Sequence, residues 1–163
     1  MLTIRTAGDE DAQTVARLLT ALNEAVGADG LPPPEDQLPE NVLVSPGQAR
    51  HRLSSAAAET CLLAEEDGAP LGLAALRVVP HLGQDAPYAE VTQLYIAPGY
   101  RRRGIARVLV SRAEEMARAS GCTSLRVLAF HNNAEAKAFY RSLGYEPLYV
   151  GFEKFLTSHR AQG

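Results

Sequence analysis

The chain has little cysteine and little excess of either charge, and each shortage removes a class of function. Only Cys61 and Cys122 occur in 163 residues, with no Cys-x-x-Cys pair and no paired histidine cluster. That spacing excludes a structural zinc site, and so cysteine-poor a chain is expected in a reducing compartment. The first residues, Met1-Leu2-Thr3-Ile4-Arg5, lack the charged stretch and apolar core of a secretion signal, and no run approaches a transmembrane helix. A cytoplasmic protein with no membrane partner is the expectation. A net charge of −3 and a pI near 5.8 lack the basic balance of a nucleic-acid binder, so Arg101-Arg102-Arg103 is a local feature. The phosphate loop Gly-x-x-x-x-Gly-Lys-Ser/Thr is also missing, which argues against nucleotide hydrolysis.

What is present fits one domain, residues 1–163, long enough to bury a core without disulfides or metals. Leu2 to Ala7 reads as a strand, and the acidic run Asp9-Glu10-Asp11 opens a helix over roughly 9–26. Three consecutive prolines and Pro39 make 28–45 irregular, and Ser45-Pro46 starts a second helix that ends before Thr60. Thr60 to Glu65 and Pro70 to Val79 flank Asp67-Gly68 as a hairpin, and Tyr88 to Ala97 is the next strand. Ile105, Leu109, Ala113, Met116 and Ala117 fall on one face of a helix stopped by Gly121. Thr123 to Phe130 reads as a buried strand and Ala134 to Leu143 as a helix capped by Gly144. Glu146 to Leu156 is an extended tail, and Thr157 to Gly163 frays.

Two motifs carry chemistry. At the first, the strand ending Leu94-Tyr95-Ile96 runs through Pro98-Gly99 into Arg101-Arg102-Arg103-Gly104-Ile105-Ala106, the start of a helix. Unpaired N–H groups at a helix start, small residues for close approach and adjacent arginines form a seat for a diphosphate. The second, about thirty residues on, is Asn133-x-x-Ala136-x-x-x-Tyr140-x-x-x-Gly144-Tyr145.

Together, in this order and spacing, the motifs resemble those of the GNAT superfamily of N-acetyltransferases. The first is similar to that superfamily's coenzyme A loop. The second fills each position of its following helix, with Tyr145 where Phe is commoner. The resemblance implies an α/β fold with a mixed, mostly antiparallel central sheet flanked by helices, whose fourth and fifth strands are parallel and splay apart. It implies an acyl-CoA core at 88–145, an acceptor-side variable segment at 1–60, and acetyl-CoA as co-substrate with no metal. Main-chain groups of Leu94, Tyr95 and Ile96 are then expected along the pantetheine arm. N–H groups from Arg101 to Ala106 are expected on the diphosphate, with Asn133 holding the coenzyme or the loop.

Acetyl transfer from a thioester needs a base, because an amine of pKa about 10.4 is protonated at neutral pH. It also needs an acid for the leaving thiolate. By the resemblance, Tyr140 is the acid beside the coenzyme sulfur. Glu90 stands at the position of the glutamate base in histone-type members, and Thr92 replaces the acid of many small-molecule members. Strand alternation is expected to put Glu90, Thr92 and Leu94 on one face. His131 is a rival base, and His51 and His81 fall where an acceptor pocket is expected. Leu128 occupies the place of a glutamate in the ribosomal-protein members, which argues against their mechanism. The implied activity is acetylation of a small-molecule amine, with a protein lysine as the other acceptor. Acids such as Glu35, Asp36, Glu40 and Glu65-Glu66-Asp67 favour a cationic acceptor. A non-catalytic acyl-CoA-binding module is the competing reading, and a homodimer stays open.

Overall fold

The structure, a computed structural model, describes residues 1–28, 43–54 and 59–152. Most of the proline-rich stretch, with Glu35, Asp36 and Glu40, lies outside the described residues, as does the chain from 153 onward. In order, the elements are β1 (Leu2–Thr6), α1 (Ala12–Ala28), α2 (Pro46–Ser54), β2 (Thr60–Glu66), β3 (Ala69–Val79) and β4 (Tyr88–Ile96). Then follow α3 (Ile105–Ala119), β5 (Leu125–Val127) and α4 (Ala134–Ser142). A 3-10 turn at Asp9–Asp11 leads into α1, and another at Pro98–Tyr100 follows β4. The strands make one sheet in the order β1-β2-β3-β4-β5, antiparallel throughout except for the parallel pair β4–β5.

β2 and β3 lie mid-sheet and bury both faces. Leu62, Ala64, Ala74 and Leu76 meet Ile105, Leu109 and Ala113 of α3. Leu63 and Leu73 meet Val15, Ala16 and Leu18 of α1 and Ala49 of α2 on the other side. A fully buried leucine such as Leu63, Leu73 or Leu109 contributes roughly 1.5–3 kcal/mol relative to exposure. The α2 start is a capping box: Ser45 Oγ accepts from the Gln48 N–H at 3.1 Å, and Gln48 Oε1 accepts from the Ser45 N–H at 2.8 Å. The β2–β3 turn has positive φ at both Asp67 and Gly68, 51° and 81°, as a two-residue hairpin loop requires.

Irregularities in the ladder shape the functional end. From Ala75↔Gln93 the β3–β4 register passes to Leu76↔Val91, so Thr92 is an extra residue in β4, a bulge. The bulge overturns the expected alternation. Glu90 pairs with Arg77 on the face of Gln93 and Tyr95, whereas Val91, Leu94 and Ile96 turn toward α3. Gly72 lets β4 lie close at its other end, because a methyl there would run into the Tyr95 carbonyl oxygen and the Ile96 side chain. The fifth strand is shorter than the apolar run Thr123–Phe130 suggests. Only Ala89↔Leu125, Glu90↔Arg126 and Val91↔Val127 pair, and Leu128 and Phe130 are exposed. The tail residues 146–152 carry no regular element, and Tyr149 stacks 5.0 Å from the Arg126 guanidinium.

Arg5 ties β1 to the head of α1. Its guanidinium donates to both oxygens of buried Asp11, at 2.7 and 2.8 Å, and also to Glu65. The hydrogen bonds from Arg5 hold the Asp11 carboxyl below the usual carboxylate range, against the opposing effect of burial. A carboxyl whose pKa is depressed by folding contributes stability above its unfolded pKa, near 4, that is lost as pH falls through the folded value. Asp11→Ala is therefore expected to lower stability at pH 7 by roughly 1–3 kcal/mol. In urea unfolding followed from pH 7 downward, the gap between wild type and variant should close below about pH 4. A gap independent of pH would show that the pair contributes only through packing.

Candidate active site

Because β5 pairs with β4 only up to Val91, the two strands part beyond the Thr92 bulge. The Ala97 N–H bonds the Leu71 carbonyl, and alternation then turns the polar groups of Tyr95 toward β3 and those of Leu94 and Ile96 toward the vacated side. Leu94 thus offers its N–H and carbonyl to the opening and Ile96 its N–H, the Ile96 carbonyl being taken by Arg101 Nε. Tyr95 does not: its ring is buried between the sheet and α1, and its carbonyl faces Gly72.

The loop from Arg101 to Gly104 sits at the end of β4. Arg102 and Gly104 both adopt left-handed backbone, with φ of 64° and 79°, and α3 begins with no side-chain cap. Among the described residues, none accepts from the backbone N–H groups of Arg102 to Arg107. Such a run of free donors, curved by left-handed residues at a helix start, forms a concave anion seat. A Cβ built on Gly104 meets nothing within 4 Å, so the space before the seat is open. The arginine side chains turn away to other partners. Arg101 Nε donates to the Ile96 carbonyl at 3.1 Å, Arg102 pairs with Glu135 at 3.3 Å, and Arg103 pairs with Glu66 at 2.8 Å. The free donors of this loop are therefore backbone N–H groups, while each of the three arginine side chains has a partner.

Asn133 caps α4, its Oδ1 accepting from the Ala136 N–H at 2.9 Å. Further along, Tyr140 packs edge to face on Phe139 and Tyr145, at 5.2 and 5.6 Å between ring centroids. Burial pushes the Tyr140 hydroxyl up to about 12. Tyr145, held up first by burial and then by Glu114, donates to that carboxylate at 3.1 Å and so fixes α4 against α3.

On the α1–α2 face of the sheet lies a cavity of about 750 Å³, within the size range of small-molecule sites. Glu90, Thr92 and Gln93 of β4 line it, with Arg77 of β3, Arg52 of α2 and Glu59 just before β2. Glu90 Oε2 accepts from Arg77 Nε at 2.8 Å and lies 2.6 Å from Arg77 Nη2. Glu90 Oε1 has no hydrogen-bond partner among the described residues. Tyr140 and Asn133 are not in this lining. Nor are His51, exposed on α2, or His131, exposed with its carbonyl accepting from Lys137. His81 sits in the β3–β4 loop with its ring 6.0 Å from Tyr88, also outside the lining. Leu128 does line the cavity.

Sequence reasoning missed Arg77, Arg52 and Glu59. The Arg77–Glu90 pair joins residues thirteen apart on neighbouring strands, and only the β3–β4 register reveals it. Alternating charged positions at the ends of two hairpin strands were the available signal.

Comparison with known proteins agrees with this geometry. The model of the acetyltransferase (GNAT) family matches residues 29–145. A putative acetyltransferase of Bacillus subtilis is 29% identical over 84 residues, 52% of this chain and 51% of its own length. The aminoglycoside N(6')-acetyltransferase type 1 of Acinetobacter haemolyticus is 32% identical over 63 residues, 39% of this chain and 43% of its own. The matches thus span about half the length of these curated relatives or less. Among solved structures, a putative acetyltransferase from Agrobacterium tumefaciens superimposes with a TM-score of 0.75 at 27% identity, covering 94% of this chain and 99% of that one. A family match over most of the chain, joined to parted parallel strands and a left-handed loop at the head of α3, establishes that this chain belongs to the GNAT acetyltransferase family.

Proposed function

We propose that this chain transfers an acetyl group from acetyl-CoA to the primary amine of a small molecule held in the cavity above β2–β4. The reading is carried by the opening between β4 and β5 running onto the backbone anion seat at Arg102–Arg107. A diphosphate fits the seat, and an amide-rich arm fits the free main-chain groups of Leu94 and the N–H of Ile96. The coenzyme supplies an acyl thioester, whose carbon the amine nitrogen attacks as the C–S bond breaks. Glu90 Oε1 accepts the amine proton, directly or through a water, and Tyr140 donates a hydrogen bond to the departing sulfur. Asn133 keeps α4 oriented so that the Tyr140 ring is fixed. Calorimetric titration with acetyl-CoA, followed by an amine screen read as free thiol release, tests the reading. An intact protein that binds no acetyl-CoA would end it.

The second reading, an acyl-CoA-binding module without catalysis, draws on the ion pair that occupies Glu90 Oε2. One variant separates the two. Glu90→Gln keeps the size of the side chain and a hydrogen-bond acceptor but cannot take a proton. It is expected to lower kcat by roughly 10²-fold, a usual share for a positioned base, with acetyl-CoA affinity unchanged. Transfer at the wild-type rate would remove Glu90 from the chemistry.

A further inference from the structure

We propose that the acceptor is an amine that also carries a carboxylate, and that Arg52 is the residue that anchors it. The inference rests on the acetyl-transfer reading only in taking the cavity on the α1–α2 face as the acceptor site. Four charged side chains line that cavity: Arg52, Glu59, Arg77 and Glu90. Two of them cancel, because the Arg77 guanidinium is committed to Glu90 at 2.6 Å. Glu59 follows in the same row across the sheet. The pair Thr60↔Leu76 sets it opposite Arg77, and it is half-buried with no hydrogen bond to a described residue. Arg52, in the last turn of α2, has no ion pair or hydrogen bond among the described residues.

Among the described residues, the cavity therefore holds one carboxylate, Glu59, that makes no hydrogen bond and only a long-range Coulomb attraction to Arg77, and one guanidinium, Arg52, with neither hydrogen bond nor ion pair, on different walls. Much of the rest is apolar, including Val15, Leu19, Leu53 and Leu73. This lining is the complement of a zwitterion with an apolar body. The ammonium rests by Glu59 before it loses its proton, the carboxylate meets the planar fork of Arg52, and the apolar part fills the space between. A polycationic acceptor fits worse, since it finds a single free carboxylate and is repelled by Arg52. The acidic composition of the chain as a whole points toward cationic acceptors, but the charges that line the cavity cancel.

The test uses apolar α-amino acids and their primary amides, which differ in the carboxylate alone, with spermidine as the polycation. Binding to wild type, Arg52→Ala and Arg52→Lys is measured by calorimetry with and without coenzyme A, and thiol release is followed in parallel. At least one acid should bind wild type about tenfold more tightly than its amide, a difference that Arg52→Ala erases and Arg52→Lys partly restores. Spermidine or the amides binding as well as every acid, or Arg52→Ala weakening acids and amides alike, would overturn the proposal. Transfer to amides or polyamines would likewise overturn it while leaving acetyl transfer intact. Carboxylate-dependent binding without thiol release would keep Arg52 as the anchor and reject the transfer reading instead.

Discussion

Tyr140→Phe is expected to lower kcat by roughly 10²-fold and to leave acetyl-CoA affinity within about threefold, because it removes one hydroxyl and no packing surface. Its ring contacts with Phe139 and Tyr145 survive in phenylalanine, so α4 should hold its place. The form of assistance follows from burial, which pushes the hydroxyl up to about 12. Against a thiol of pKa near 8.5, full proton transfer from such a phenol is uphill by roughly 5 kcal/mol, at about 1.4 kcal/mol per unit. On the proposed acetyl-transfer reading, Tyr140 is therefore expected to act as a hydrogen-bond donor to developing negative charge on sulfur, with the thiolate taking its proton from solvent after the bond has broken. One consequence can be checked directly. With its hydroxyl pushed up to about 12, Tyr140 stays protonated and adds no falling limb to the kcat profile across pH 6–10. Single-turnover rates for wild type and variant across pH 6–10 provide the measurement, and a loss of less than threefold would discard the assignment.

How much of this was legible in the sequence depends on how local each determinant is. The Asp67-Gly68 hairpin, the Ser45 cap and the apolar face of α3 are written in adjacent residues or in a helical period, and the structure agrees with each. The unpaired backbone N–H groups at the start of α3 were readable for the same reason. The places of the three arginine side chains were not, since the fold sends each to a partner distant in sequence or set by the loop, Ile96, Glu135 or Glu66. Strand 5 looked eight residues long from its apolar run. A ladder needs a neighbour, however, and β4 withdraws at a bulge on Thr92, a good strand former that carries no local sign of irregularity. That one extra residue also put Leu94 on the wrong face in the expectation from alternation. Arg52, Glu59, Arg77 and Glu90 come from one helix and three strand ends, so only the packing of α2 on the sheet brings them to one cavity. The lining of the cavity is thus written in non-local contacts, and the loop at the head of α3 in local ones.

Gly104→Glu should abolish measurable acetyl-CoA binding, by 10²-fold or more, while the protein stays folded. The two effects separate because nothing lies within 4 Å of a Cβ built on Gly104, so added bulk meets ligand and not protein. Its φ of 79° makes any side chain strained, at roughly 1–2 kcal/mol, and Gly104→Ala measures that cost without the charge. The carboxylate adds repulsion of roughly 4 kcal/mol for each unit charge 4 Å away at an effective dielectric of 20, enough to outweigh the strain. It also satisfies the free N–H groups at the start of α3, as an acid does at any helix N-terminus, and so competes for the donors a diphosphate needs. Calorimetry on wild type, Gly104→Ala and Gly104→Glu, with circular dichroism melts on the same samples, should show affinity falling slightly in the first variant and out of range in the second. Binding by Gly104→Glu within threefold of wild type would place the diphosphate elsewhere, and the opening between β4 and β5 would then need another occupant. If instead both variants lose binding equally, the left-handed backbone itself sets the direction of the donors. In that case, the conformation of the loop from Arg101 to Gly104, more than the space before it, is what the sequence preserves by putting glycine at the head of the helix.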